Sequence, residues 1–241
     1  MDKFRIGAVV LVLVLTLGAV PGDAEAQTPK VEIRLTGYFG SLSGNVGSSQ
    51  FARANYSLYG PQATIYYPNS GLGFGGELLT GSMSSGEGIW LAAQRLDAKL
   101  FSAWVSYNFL HAQQTPAQLN VWAGYGKSKW DVTNSGGSQE VYRNRGFMLG
   151  VALYAPLGNG FEVGGRLAYT PAANVSLENG GVTNNATGSS VDYTLNFTYE
   201  RGPWGFSAGY RARYDRSGPV AGCPDCNFNW QGYTLSISHS R

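Results

Sequence analysis

A chain of 241 residues with 17 basic and 15 acidic side chains has a formal charge of +2, too slight an imbalance to mark a nucleic-acid surface. Charged residues make up only 13% of it, against about 25% in a soluble domain, while 34 residues are Gly and 13% are aromatic. Beyond the first twenty residues no apolar run is long enough for a transmembrane helix, so something other than water is expected to cover much of the outside.

At the N-terminus Lys3 and Arg5 precede an apolar run from Ile6 to Val20, which Pro21 and Gly22 break. Ala24-Glu25-Ala26 then offers small residues at the two positions a signal peptidase reads. The 15-residue run is short of the roughly 20 needed to span a bilayer. A secretory signal over 1–26 is expected, with the mature chain at 27–241. No Cys follows the cleavage point, which argues against a lipid anchor. Cleavage removes two of the 17 basic and three of the 15 acidic residues, so the mature charge is about +3.

The rest of the chain alternates with period two. In 204–215, Trp204, Phe206, Ala208, Tyr210, Ala212 and Tyr214 alternate with Gly205, Ser207, Gly209, Arg211, Arg213 and Asp215. Successive strand side chains point to opposite faces, so such a segment has one apolar and one polar face. Ten segments read this way: 31–42, 53–67, 71–82, 93–109, 118–130, 143–155, 161–171, 191–201, 204–215 and 228–239. Pro61 cannot donate to a ladder, and a bulge is expected there. In the fourth segment Leu96 and Leu100 are out of step with Val105, Tyr107 and Phe109, which predicts a phase change near Phe101.

Connections after the second, sixth and eighth segments are tight: Pro68-Asn69-Ser70, Pro156 to Gly160, and Gly202-Pro203. A moderate turn from His111 to Pro116 follows the fourth. The connections after odd-numbered segments are mostly long and polar, the longest at about 171–190. Short turns at one end, long loops at the other and an even strand count predict an all-β, antiparallel up-and-down transmembrane barrel with both termini in the periplasm. Trp204 to Tyr214 covers about 23 Å of the membrane normal at ~3.3 Å per residue and ~45° tilt. Aromatics cluster where girdles are expected: Tyr67, Phe109, Tyr154, Phe161, Tyr199 and Trp204 beside short turns, and Tyr125, Trp130, Phe147, Tyr169, Tyr214 and Phe228 toward the loops. A secreted soluble sandwich or lipocalin-like barrel is the alternative, disfavoured by that girdle pattern.

The signal Met1–Ala26, the strand-turn-strand 143–171, the pair 191–215 and the closing segment Tyr233 to His239 together resemble the Gram-negative outer-membrane β-barrel superfamily. The resemblance is one of pattern and covers all of the mature chain. It implies residence in the outer membrane and handling by the outer-membrane assembly machinery. Members often end in an aromatic residue, whereas this chain ends His239-Ser240-Arg241. Ten strands are similar in number to the omptin surface proteases, whose site pairs Asp with His near the outer rim. Here His111 and His239, the only two histidines, fall at the predicted periplasmic end.

General-base catalysis needs a His within hydrogen-bond reach of its nucleophile, so no catalytic residues are assigned. Gly205 to Gly209 fits G-x-S-x-G, but inside a strand and not at a strand-to-helix elbow. Gly71 to Gly76 fits G-x-G-x-x-G with no helix to receive a phosphate. Cys223 and Cys226 fall in the last surface loop, where a local disulfide is the favoured reading over a half metal site or a redox pair. No cofactor or metal site is expected.

The inward phase is predicted to carry Glu32, Arg34, Glu77, Glu162, Arg166, Asp192, Glu200, Arg211, Arg213 and Asp215. Paired, they would plug a narrow interior, since a barrel of about eight strands is just filled by side chains. Left open, they would line a narrow channel for a small polar solute. Lys127, Lys129, Arg143 and Arg145 extend two outward faces past the membrane band, where lipopolysaccharide phosphates are expected to meet them. The leading expectation is a non-enzymatic outer-membrane protein with a structural or surface-interaction role, in contact with outer-membrane lipid and lipopolysaccharide. An unknown surface or periplasmic protein partner is allowed for. A porin-like channel and a surface hydrolase are the alternatives.

Overall fold

The computed structural model describes residues 29–46, 49–88, 93–113, 117–134, 139–218 and 226–241. The expected signal segment and its cleavage point lie outside them, as does Cys223. Ten strands form one closed barrel in which each strand pairs antiparallel with its chain neighbours. They are β1 (Lys30–Val46), β2 (Ser49–Tyr67), β3 (Leu72–Gly88), β4 (Ala93–Asn108), β5 (Gln118–Asn134), β6 (Gln139–Gly158), β7 (Phe161–Asn179), β8 (Val182–Arg201), β9 (Trp204–Ser217) and β10 (Cys226–Ser240). Pairing of β1 with β10 closes the sheet, in register from Glu32 opposite Ser240 to Val46 opposite Cys226. Closure leaves no lateral edge through the membrane-spanning height, which is what a sheet needs in lipid.

Large apolar side chains face outward from every strand: Leu35, Tyr59, Leu72, Val105, Val121, Leu149, Leu167, Leu195, Phe206 and Leu235 are all exposed. A soluble protein rarely leaves so much contiguous apolar surface uncovered. On a closed barrel this belt is a lipid-facing band.

The strands run well past the belt on the side of the odd-numbered connections. The segment 171–190, expected as a polar loop, is mostly strand: β7 and β8 continue to a two-residue turn at Gly180 and Gly181. Both glycines have positive φ, 56° and 83°, as a twist-matched hairpin turn requires. Alternation hid the continuation because the register of β7 shifts between Thr170 and Ala173. Before that bulge the inward residues are Arg166, Ala168 and Thr170; after it they are Ala173, Val175 and Leu177. A bulge inserts one residue and moves the pattern to the other parity.

Two other expectations are corrected. Pro61 makes no bulge: Leu35 opposite Pro61 sits inside an unbroken register, and the shifts in β2 fall near Asn45 and Arg53 instead. The proline is exposed on the outer face. Nor does β4 change phase at Phe101, since its pairing with β3 and β5 is continuous from Leu96 to Tyr107. Leu100 is buried because the lumen itself turns apolar at that height.

Candidate functional site

The barrel interior has two halves of opposite character. Toward the end that carries the short turns, the start of β1 and the end of β10 it is mostly polar. Toward the opposite end it is an apolar core built from Tyr38, Leu42, Leu58, Leu79, Leu100, Trp130, Val132, Tyr142, Val175, Phe228 and Trp230. Trp130 stacks on Tyr142 with ring centroids 4.9 Å apart, and Phe228 meets both rings at 5.3 and 4.6 Å. Trp130 and Phe228, expected in the outer girdle, are therefore lumen residues. Their parity gives this away: Trp130 shares the phase of Trp122 and opposes that of Tyr125. Tyr154, expected in the lower girdle, likewise faces inward over Gly164, where an added Cβ would lie 2.5 Å from its ring.

The predicted inward charges all lie on the lumen face, and most are paired. Arg211 Nη2 and Nε donate to Asp192 at 2.7 and 3.1 Å, and Nη1 donates to Glu77 Oε2 at 2.9 Å. The Tyr38 hydroxyl donates to the Arg211 carbonyl at 3.1 Å. Arg213 Nε donates to Asp215 Oδ1, and Arg34 Nη2 to Glu32 Oε1, each at 2.8 Å. Burial deepens outward along the lumen. Side-chain exposure is 35% at Glu32 and 19% at Arg34, 13% at Arg211, and 8% and 0% at Arg213 and Asp215. The polar half thus opens at the short-turn end and is closed off by the apolar core.

Three inward charges stay outside these pairs. Glu162 and Glu200 form no ion pair or hydrogen bond among the described residues. Arg166 has no carboxylate partner either; its guanidinium lies over Trp122 at 4.0 Å and Trp104 at 4.7 Å from the ring centroids. Room for the two indoles comes from Gly75 and Gly150, where a Cβ would fall 2.5 and 2.4 Å from them. Trp104 and Trp122 were not singled out in the sequence; their signal was a large aromatic on the otherwise polar phase.

On the outer face, pairing of β5 with β6 sets Lys127 opposite Arg145 and Lys129 opposite Arg143. There is no phase shift at Gly126, and Lys127 and Arg145 are exposed. Lys129 is tied to Asp131 at 2.8 Å and Arg143 to Glu178 at 3.0 Å. β4 adds Lys99, opposite Lys129, which the expected phase change had hidden. Tyr125 and Phe147 form an edge-on pair just below, with centroids 5.7 Å apart.

Neither histidine hydrogen-bonds a hydroxyl among the described residues. His111 packs in the β4–β5 turn, its Nδ1 2.8 Å from the Asn108 carbonyl, and exposed His239 lies edge-on to outward-facing Trp204. Ser207 faces the lumen and shares a 3.0 Å hydrogen bond with Thr198. Cys226 is disulfide-bonded and buried at the start of β10. No group of metal-ligating side chains occurs among the described residues.

A closed ten-strand antiparallel barrel with an apolar belt has the architecture of a membrane-spanning β-barrel. The chain is similar in fold to the translocator domain of the autotransporter NalP from Neisseria meningitidis, at 13% identity and TM-score 0.45, covering 99% of this chain and 97% of that one. It is also similar to Ail, the attachment invasion locus protein of Yersinia pestis, at 8% identity and TM-score 0.41, covering 88% and 99%. A third is the toluene transporter TodX of P. putida, at 10% identity and TM-score 0.33, covering 94% and 91%. No protein-family model and no curated protein matches the sequence.

Proposed function

We propose that this protein is a non-catalytic resident of the bacterial outer membrane whose barrel is closed to through-passage and whose working surface is the part projecting outside. The observation that carries this reading is the apolar core across the outer half of the lumen, with Trp230, Leu42 and Leu58 wholly buried. A chain evolved to pass a polar solute gains nothing from a dry aromatic barrier at that height. The non-enzymatic reading is supported by the histidine contacts: His111 meets the Asn108 carbonyl and His239 the Trp204 ring, and neither bonds a hydroxyl among the described residues.

The projecting outer face is where a ligand can dock, and it carries a cluster of Lys99, Lys127, Lys129, Arg143 and Arg145. The cluster adjoins the Tyr125–Phe147 aromatic pair, the height at which this reading expects outer-leaflet phosphates. Arg and Lys bind phosphate through charge-assisted hydrogen bonds. Lys127 and Arg145 carry the affinity in this reading, because Lys129 and Arg143 are already bridged to acids. Changing Lys127, Lys129, Arg143 and Arg145 together to Gln removes most of the stabilisation that lipopolysaccharide gives the detergent-solubilised protein, measured as the shift in Tm on adding it. Lys127→Gln with Arg145→Gln alone gives most of that loss. An equal shift in wild type and the fourfold variant rules the patch out.

A further inference from the structure

Among the described residues Arg166 is the one lumen arginine without a carboxylate partner. The two carboxylates near enough to attract it, Asp192 and Glu77, are both held by Arg211. It extends from β7 past small neighbours, Ala152 and Thr194 being its cross-strand partners, to lie against Trp122 of β5 and Trp104 of β4. Stacking on aromatic faces satisfies the flat faces of a guanidinium and leaves its five in-plane N–H donors free for a planar acceptor. No hydrogen bond from this side chain to a described residue uses them. A partly buried cation without a counter-charge gains when an anion arrives. Arg166 remains partly exposed, on the side of the lumen that opens to the periplasm.

The mouth below it has the opposite sign. Glu162 and Glu200 form no ion pair among the described residues and sit on neighbouring strands, Glu162 opposite Thr198 and so two residues from Glu200, and they share the mouth with the Glu32–Arg34 pair. Glu162 precedes Arg166 by four residues on the same inward face of β7, about 13 Å along the strand. A purely anionic solute would be turned away at this mouth, whereas one with a cationic end is drawn in.

We propose that the periplasmic half of the lumen is a binding site for a short zwitterionic solute of peptide size, its carboxylate on Arg166 and its ammonium group at Glu162 and Glu200. An extended tripeptide, about 10 Å from end to end, is of the same order as the rise of about 13 Å between Glu162 and Arg166 along β7. The site is on the opposite side of the apolar core from the cationic outer patch, so the two fail independently.

The test is calorimetric titration of full-length, detergent-solubilised protein with trialanine, followed in parallel by intrinsic tryptophan fluorescence. Trialanine binds saturably, and its C-terminal amide and its N-acetyl form each bind at least tenfold more weakly. Arg166→Gln abolishes binding, and Glu162→Gln with Glu200→Gln reduces trialanine to the level of its N-acetyl form. Heat-modifiable gel migration checks that each variant still closes. Should Arg166→Gln fail that check, Arg166→Lys, which keeps the charge but loses the planar fork, still weakens binding. No saturable binding to wild type, or unchanged binding in a closed Arg166→Gln barrel, overturns the proposal. Inorganic phosphate binding wild type as well as trialanine does overturns the zwitterionic ligand.

Discussion

Replacing Arg211 with Ala lowers the unfolding free energy of the barrel by about 3–5 kcal/mol, the usual cost of removing one partner from a buried ion network. The magnitude comes from what is left behind. Glu77 and Asp192 lie on opposite sides of the guanidinium at 2.9 and 2.7 Å and are each at least 85% buried. Without Arg211 both carboxylates are stranded, and Arg213 is already committed to Asp215. The signature that separates stranded charge from lost packing is rescue. Adding Glu77→Gln and Asp192→Asn to Arg211→Ala recovers most of the loss, because neutral amides tolerate the site far better than unpaired carboxylates. Urea titration in lipid vesicles reads both steps. A single variant with an unchanged midpoint contradicts the pairing described.

The second large effect lies in the apolar core. Trp230 is the largest of the fully buried side chains, opposite Leu42 and Arg213 on its two neighbouring strands and 5.5 Å from the Tyr56 ring. Truncating such a residue to Ala costs about 3–5 kcal/mol, transfer and cavity terms together. Trp204→Ala is the internal control. That indole faces outward and is 48% exposed, so lipid fills the space it vacates and no cavity forms. The expected ratio of the two losses is at least two to one. Equal losses place Trp230 in the lipid girdle and not in the lumen.

The barrel was legible in the sequence because closure, belt and alternation follow from one constraint: in lipid every backbone group pairs within the sheet. The inward phase of Arg211, Asp192 and Glu77 followed directly, and so did the juxtaposition of Lys127 with Arg145. What misled the reading was the assumption that the lumen is polar over its whole length. Trp130 and Phe228 were assigned to lipid, and Leu100 to a broken phase, because each is apolar. All three keep perfect parity and fill the core. The hairpin at 171–190 was hidden for two reasons. A bulge between Thr170 and Ala173 reverses the parity, and Thr183 to Ser190 stands beyond the belt, where both faces can be polar. The environment of Arg166 was invisible for a different reason: β4, β5 and β7 meet across the lumen only once the barrel has closed.

Ionic current through purified protein in a planar bilayer reports whether the apolar core shuts the outer half of the lumen. The wild type shows no steady conductance steps. Replacing Trp130, Phe228 and Trp230 together with Ala removes the aromatic barrier above the Arg211 network and gives discrete, cation- or anion-carrying openings. Uniform steady pores in the wild-type protein would contradict the account and make it a channel.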